Sequence, residues 1–216
     1  MKKLILSVLL IPAVFSAQQN VSRDAEIANY VSQVSADSLK SHINKLVSFG
    51  TRHTMSSTTD AKKGIGAARN WVLSKFKNYA KNSDGRMEVF LQSQTIQPDG
   101  KRINQPTDLG NAIAILRGTD PNDKRIFMIG GHLDSRVSDV MNNKDFAPGA
   151  NDDGSGVGAV IESARILSQS KFPATIIFVA FSGEEQGLLG AKMLAEKAKN
   201  ENWQLEALLN NDMIGN

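Results

Sequence analysis

The sequence predicts an α/β fold, with a mixed, mostly parallel central sheet that carries helices on both faces. Three short apolar runs, at 125–131, 175–181 and 205–212, have the length of strands. Two segments with apolar residues at helical spacing, 155–169 and 188–199, separate these runs. The order β-α-β-α-β is typical of parallel strands joined by crossover helices.

The elements of the N-terminal half are predicted from the same signals. Two short helices are expected at about 24–34 and 37–47, and a third at about 60–79, because their apolar residues recur at helical spacing. The turn signal at 98–100, Pro-Asp-Gly, lies in an extended stretch and predicts a hairpin. A further strand is expected at 111–117.

The first seventeen residues, MKKLILSVLLIPAVFSA, have the layout of a secretory signal peptide. Two lysines precede an apolar run that is shorter than the roughly 20 residues a membrane helix requires. We therefore expect residues 1–17 to be a signal peptide and residues 18–216 to form the catalytic domain. The mature protein is expected to be secreted or periplasmic and free of the membrane.

The composition limits the kinds of partner and chemistry. The 216 residues are 41% hydrophobic and 22% charged, which suits one soluble domain. The net charge of +3 comes with no basic stripe, so no nucleic-acid partner is expected. The absence of cysteine excludes disulfides, thiolate metal sites and a cysteine nucleophile. A transition-metal site would therefore use histidine and carboxylates.

Each predicted parallel strand ends in a segment rich in histidine or carboxylates. The segments are GGHLD, SGEE and NND, and the helix between the first two strands follows GANDDG. Right-handed crossovers bring the carboxyl ends of these strands to one edge of the sheet, where open α/β sheets bind ligands. The candidate residues at this edge are His132, Asp134, Asp152, Asp153, Glu184, Glu185 and Asp212.

Each candidate alone has a structural explanation, because aspartates cap helices, glutamates suit helix N-termini and a single histidine is seldom a ligand. Together they would place about five acids and a histidine in one cleft, while 146–164 and 172–191 contain no Lys or Arg. Crowded carboxylates destabilise a fold unless a cation neutralises them. We therefore predict a divalent metal site, and histidine with carboxylates favours zinc.

The spacing within these segments suggests different roles for the individual side chains. His132 and Asp134 are two apart on an extended segment, so Asp134 is expected to accept the ring N–H that the metal does not use. Glu184 and Glu185 are adjacent and must point in different directions. One can bind metal while the other acts as a general base on water.

These segments together resemble the co-catalytic zinc aminopeptidases of the bacterial leucyl aminopeptidase type. Relatives with the same fold include the glutamate carboxypeptidases and the glutaminyl cyclases. The resemblance covers nearly the whole mature chain in one order and spacing. It is carried by SFGTRHT (48–54), GIGAARNWV (64–72), GGHLDS (130–135), PGANDDGSG (148–156), FSGEEQGLLGA (181–191) and NNDMIGN (210–216).

The resemblance implies a role for each matching residue and two zinc ions in the complete protein. The implied metal ligands are His132, Asp152, Glu185 and Asp212. Asp152 would bridge the two zinc ions, and the peptide bond to Asp153 would be cis. Glu184 would be the catalytic base that takes a proton from the water between the metals and passes it to the leaving amine. Asp134 would support His132, and the substrates would be peptides with a free N-terminus.

One feature departs from the family pattern. The family takes its last zinc ligand from a histidine downstream of the segment that matches Asp212, and this sequence has none there. Neither His42, on a predicted helix, nor His53, outside any ligand motif, is expected to replace it. We therefore expect a fold that is incomplete at the C-terminus, with weakened metal binding and a sheet edge prone to aggregation.

The function implied by the resemblance is hydrolysis of N-terminal residues from peptides. Two alternatives remain open: a glutaminyl cyclase with one zinc on the same fold, and a truncated, non-catalytic fragment. A phosphate loop is excluded because GANDDGSGVG lacks the Gly-Lys-Ser/Thr ending. A serine hydrolase is not expected, because neither Ser155 nor Ser182 lies in a Gly-x-Ser-x-Gly elbow.

Overall fold

The computed structural model describes residues 23–215, so the predicted signal peptide lies outside the described residues. No helix in this range is long and apolar enough to cross a membrane. The helices are α1 (Ala25–Ser32), α2 (Ala36–Val47), α3 (Gly64–Ala80), α4 (Gly154–Leu167) and α5 (Leu189–Asn200). The strands are β1 (Met87–Ile96), β2 (Thr107–Leu116), β3 (Arg125–His132), β4 (Thr175–Phe181) and β5 (Gln204–Asn210).

The strands form one mixed sheet in the order β1-β2-β4-β3-β5. Strand β3 pairs in parallel with both β4 and β5, whereas β2 pairs antiparallel with β1 and β4. The predicted α/β class and mixed sheet are confirmed. Parallel pairing is confined to the β-α-β-α-β half, and the β1–β2 hairpin supplies the antiparallel half.

The central strands are buried on both sides because helices cover both faces of the sheet. Along β2, Ala112 and Ala114 pack into the core beneath α3 and α4, while Ile113 and Ile115 face the core beneath α5. Strand β4 alternates in the same way, with Phe178 on the first side and Val179 on the second. This period of two is the geometry of a pleated strand.

Helix α3 begins four residues later than the sequence predicts. Residues 57–63 instead form side-chain-capped turns: Ser57 Oγ accepts the amide of Asp60 at 3.0 Å, and Asp60 Oδ1 accepts the amide of Lys62 at 2.7 Å. Such local side-chain bonds compete with helical hydrogen bonds. The helix then begins at Gly64, whose φ of +83° favours glycine.

Strand β5 forms an edge of the sheet in the described part of the chain. Its side chains Leu205, Leu208 and Leu209 are 44%, 43% and 62% exposed. An apolar edge strand with free backbone groups is a template for association.

Candidate metal centre

His132 is the last residue of β3 and is held in place by two hydrogen bonds. Its backbone N–H donates to Asp153 Oδ2 at 2.8 Å, and its ring Nδ1 lies 3.1 Å from the backbone carbonyl oxygen of Asp134. A carbonyl can only accept, so Nδ1 carries the hydrogen. The other ring nitrogen, Nε2, lies 3.0 Å from Oδ1 of Asp152.

This environment calls for a positive charge at Nε2. A neutral ring with its hydrogen on Nδ1 would point the Nε2 lone pair at the Asp152 carboxylate, which is unfavourable unless a proton or a metal lies between them. Burial opposes protonation of His132, but the carboxylates of Asp134, Asp153 and Glu184 outweigh it and raise its pKa. The site therefore favours a cation.

Asp212 completes a group of three candidate ligands. Its Oδ1 lies 3.8 Å from His132 Nε2, and the ligand atoms of His132, Asp152 and Asp212 lie within 4.8 Å of one another. Two ligand atoms of a tetrahedral zinc ion are about 3.3 Å apart, given bonds of about 2.0 Å. One imidazole nitrogen and two carboxylate oxygens at this spacing fit zinc.

Asp153 links the segments that carry these three ligands. Its buried carboxylate accepts the amides of His132 and Gly156 at 2.8 Å each and that of Met213 at 3.4 Å. Burial raises its pKa to about 6, although His132 and the amide bonds oppose the shift. The peptide bond between Asp152 and Asp153 is cis, as the resemblance implies. The sequence placed Asp153 at this edge and as a helix-capping residue, and the structure shows it as the N-cap of α4.

Asp134 supports the centre differently from the prediction. Its carboxylate lies 3.9 Å from His132 Nδ1 and accepts instead the amides of Glu184 and Glu185, at 3.1 and 3.0 Å. The Thr54 hydroxyl donates to the same carboxylate at 3.0 Å. The ring N–H therefore bonds the backbone carbonyl of Asp134, because its carboxylate is occupied by the loop that follows β4.

The two adjacent glutamates point in different directions, as predicted. Glu184 lines a pocket with His132 and Asp212. Burial raises the pKa of Glu184, the carboxylates of Asp134 and Glu185 raise it further, and His132 offsets part of the shift. Glu184 is thus a carboxylate suited to exchange protons beside the three ligands.

Glu185 lies beside Asp152 in a second pocket, outside the group of three ligands. Arg136 Nε donates to its Oε2 at 2.5 Å, and Arg102 Nη1 donates to its backbone carbonyl at 2.6 Å. The expectation that no Lys or Arg would neutralise these acids is therefore wrong for Glu185. Arg136 follows Asp134 by two residues, outside the ranges on which that expectation depended.

The two other histidines are engaged elsewhere. His42 is buried on α2 against Trp71, with ring centroids 5.9 Å apart. His53 Nδ1 accepts the amide of Met55 at 3.0 Å, and its Nε2 lies 3.0 Å from the Val140 carbonyl. Neither histidine belongs to the group of three candidate ligands in the described residues.

A mixed α/β sheet with histidine and carboxylates at its parallel strand ends defines a zinc-exopeptidase-like class of protein. Residues 111–216 match Peptidase family M28. A "Probable zinc metalloprotease" of Pyrenophora teres f. teres is 46% identical over 207 residues, which are 95% of this chain and 44% of that protein. "Leucine aminopeptidase 1" of Paracoccidioides brasiliensis is 29% identical over 94% of this chain and 49% of its own length.

Solved structures share the same fold. The LapA aminopeptidase of Legionella pneumophila aligns with a TM-score of 0.68 at 21% identity, over 99% of this chain and 52% of that chain. A Porphyromonas gingivalis glutaminyl cyclase aligns with a TM-score of 0.64 at 25% identity, over 84% of this chain and 62% of that chain. These matches support the predicted resemblance, because residues 111–216 match the M28 peptidases and the curated relatives are named as a zinc metalloprotease and a leucine aminopeptidase. The chain spans about half the length of the curated relatives it matches.

Proposed function

We propose that this chain forms the metal-binding part of a zinc-dependent aminopeptidase that hydrolyses the N-terminal residue of peptides. One observation carries the proposal: His132 Nε2 faces the carboxylates of Asp152 and Asp212 while its Nδ1–H is held by a backbone carbonyl. This arrangement suits a cation and fixes the ring for metal binding. The names of the curated relatives, zinc metalloprotease and leucine aminopeptidase, support the same reaction class.

Zinc, when bound, would polarise the scissile carbonyl and lower the pKa of water to about 7. His132, Asp152 and Asp212 are the residues that would hold the first ion. We propose two ions, the second held by Glu185 together with Asp152, because these two carboxylates line one pocket. To bind the second ion, the Glu185 carboxylate would have to give up its hydrogen bond with Arg136.

Glu184 acts as the general base and acid in this proposal. It accepts a proton from the attacking water and returns it to the amine that leaves as the peptide bond breaks. Its raised pKa makes the carboxylate a stronger base towards the attacking water. Asp134 holds the backbone of Glu184 at 3.1 Å, so the carboxylate keeps its position beside the metal ligands.

The proposed metal centre is open to solvent. The side chains of Asp152 and Asp212 are 49% and 41% exposed, so a peptide can reach the ions that they would hold. The substrates that we propose are peptides with a free N-terminus.

We also propose export of the protein, with cleavage near residue 17. Mass spectrometry of the mature N-terminus in the medium or periplasm tests this.

The test of the main proposal compares Glu184→Gln with Glu201→Gln, an exposed glutamate at the end of α5. Glu184→Gln is expected to keep its zinc by elemental analysis but lose about 10²–10⁴-fold of its turnover on aminoacyl-anilides. Glu201→Gln should match the wild type. Wild-type turnover in Glu184→Gln would show that the role assignment is wrong.

The second candidate is a glutaminyl cyclase, which the fold of the Porphyromonas gingivalis enzyme favours. It predicts one zinc per chain and pyroglutamate formation from peptides with N-terminal glutamine. Metal content and product mass on the same protein separate it from the aminopeptidase.

A further inference from the structure

Arg52 is a fully buried arginine whose side-chain hydrogen bonds all go to backbone carbonyls. Its Nε donates to Leu133 at 2.7 Å, and its Nη1 donates to Pro148 at 2.7 Å and to Leu46 at 3.3 Å. Nη2 donates to Gly149 at 2.9 Å. The side chain is 0% exposed, and no carboxylate in residues 23–215 forms a salt bridge with it. A buried charge with this bonding pattern needs a structural or functional reason.

The bonded carbonyls lie next to the proposed metal ligands. Leu133 stands between His132 and Asp134, while Pro148 and Gly149 open the loop that carries Asp152. The guanidinium is a rigid planar group, so it holds these two segments at one separation. The fourth carbonyl, that of Leu46, anchors the group to the last turn of α2.

The main chain and a glycine reinforce the same link. The backbone N–H of Arg52 donates to Ser135 Oγ at 3.1 Å, and this hydroxyl donates to the Ala147 carbonyl at 2.8 Å. Gly149 has a φ of +48°, and a Cβ there would lie 2.4 Å from the Asp152 carbonyl oxygen, 2.6 Å from Ser135 Cβ and 2.8 Å from Arg52 Nη2. Glycine at 149 therefore permits this loop to pack closely against both Ser135 and the guanidinium.

We propose that Arg52 is a positioning residue for the metal centre, which sets the separation of His132 and Asp152 by hydrogen-bonding the backbone on both sides. The inference rests on the proposed metal centre and not on the reaction that it catalyses. Burial lowers the pKa of Arg52 to about 10, against the carboxylates of Asp134, Asp153 and Asp152, so the side chain remains charged at neutral pH.

The experiment compares Arg52→Lys and Arg52→Met with Arg69→Met in the purified protein. Arg69 is a matched control because it is also buried, at 5% exposure, and bonds the carboxylate of Asp108, which is not among the proposed metal ligands. Zinc affinity is measured by competition with a chelator, the visible spectrum is recorded on the cobalt-substituted protein, and melting temperature is measured with chelator present. Loss of a residue that orients ligands typically weakens metal binding by about 10–100-fold.

Both Arg52 variants are expected to bind zinc about 10–100-fold more weakly and to change the cobalt spectrum. Arg69→Met should lower the melting temperature while affinity and spectrum stay unchanged. Wild-type affinity and spectrum in the Arg52 variants would overturn the proposal, even if their stability falls. Should these variants fail to fold, Ser135→Ala removes the hydroxyl that joins the Arg52 backbone to the Ala147 carbonyl and is expected to weaken zinc binding, whereas wild-type affinity in that variant would overturn the proposal. A wild-type protein that binds no zinc would instead overturn the metal centre itself.

Discussion

The Nε of Arg136 lies 2.5 Å from Oε2 of Glu185, so an arginine is paired with the carboxylate that the family pattern assigns to a metal. Glu185 is only 12% exposed and shares its pocket with Asp152. The Glu185 carboxylate also raises the pKa of Arg136, which keeps the cation charged. In the proposed two-ion site, a second metal ion and Arg136 would therefore compete for the Glu185 carboxylate.

Arg136→Gln is expected to release Glu185 and to strengthen binding of a second divalent ion by a few-fold to tenfold. A charge-assisted hydrogen bond must otherwise be broken when the ion binds, at a cost of about 1.5–3 kcal/mol before compensation. Calorimetric zinc titration measures the second affinity. Arg102→Gln is the control, because it removes a bond to the Glu185 backbone and leaves the carboxylate pair intact. Unchanged or weaker second-ion binding in Arg136→Gln would contradict this competition.

Asp134→Asn is expected to destabilise the protein by about 1–3 kcal/mol and to reduce turnover. The buried Asp134 carboxylate accepts three hydrogen bonds, from the amides of Glu184 and Glu185 and from the Thr54 hydroxyl. In asparagine, an NH2 group replaces one of the two oxygens, so at least one of these donors loses its acceptor. Urea unfolding and turnover on an aminoacyl-anilide measure the two effects. Asp139→Asn, in the exposed loop that follows, is the control. Equal stability of the two variants would show that the carboxylate bonds contribute nothing.

The stability of the protein is expected to fall below about pH 5 in part because of Glu162. Burial raises the pKa of Glu162, but the bonds from Arg165 and from the Ser35 amide outweigh it, so the folded pKa is lowered. Ionised Glu162 therefore stabilises the fold above its unfolded pKa of about 4.3, and this contribution is lost as pH falls through the folded value. Melting temperatures from pH 7 to pH 3 should fall less steeply in Glu162→Gln. Parallel curves for the two proteins would be evidence against this linkage.

Phe178→Ala is expected to cost about 3–5 kcal/mol of unfolding free energy. Phe178 is 0% exposed at the centre of the sheet, on the face covered by α3 and α4, so its removal leaves a cavity. Phe146→Ala is the matched control, because Phe146 is 65% exposed and its truncation should change stability by less than about 0.5 kcal/mol. Urea denaturation of both variants gives the comparison. A small effect of Phe178→Ala would mean that the core repacks around the site.

Local patterns were sufficient for most of the secondary structure. The helix predicted at 37–47 is α2 at Ala36–Val47, and the strand predicted at 175–181 is β4 at Thr175–Phe181. Apolar periodicity and a capping residue act over a few neighbouring residues, so both are visible in sequence. The sequence predicts the start of α3 four residues too early, because the turn at Asp60 uses side-chain hydrogen bonds that compete with helical ones.

The sequence by itself determined that His132, Asp152 and Asp212 would gather at one edge of the sheet. Parallel strands joined by right-handed crossovers have their carboxyl ends at one edge of the sheet, independently of the conformations of the loops. Only the tertiary structure decided that Arg136 pairs with Glu185 and that Arg52 joins the loops around the metal centre. These contacts connect residues 49 and 81–96 positions apart, so they depend on how the loops pack against the completed sheet. No local pattern in the chain encodes such a distance.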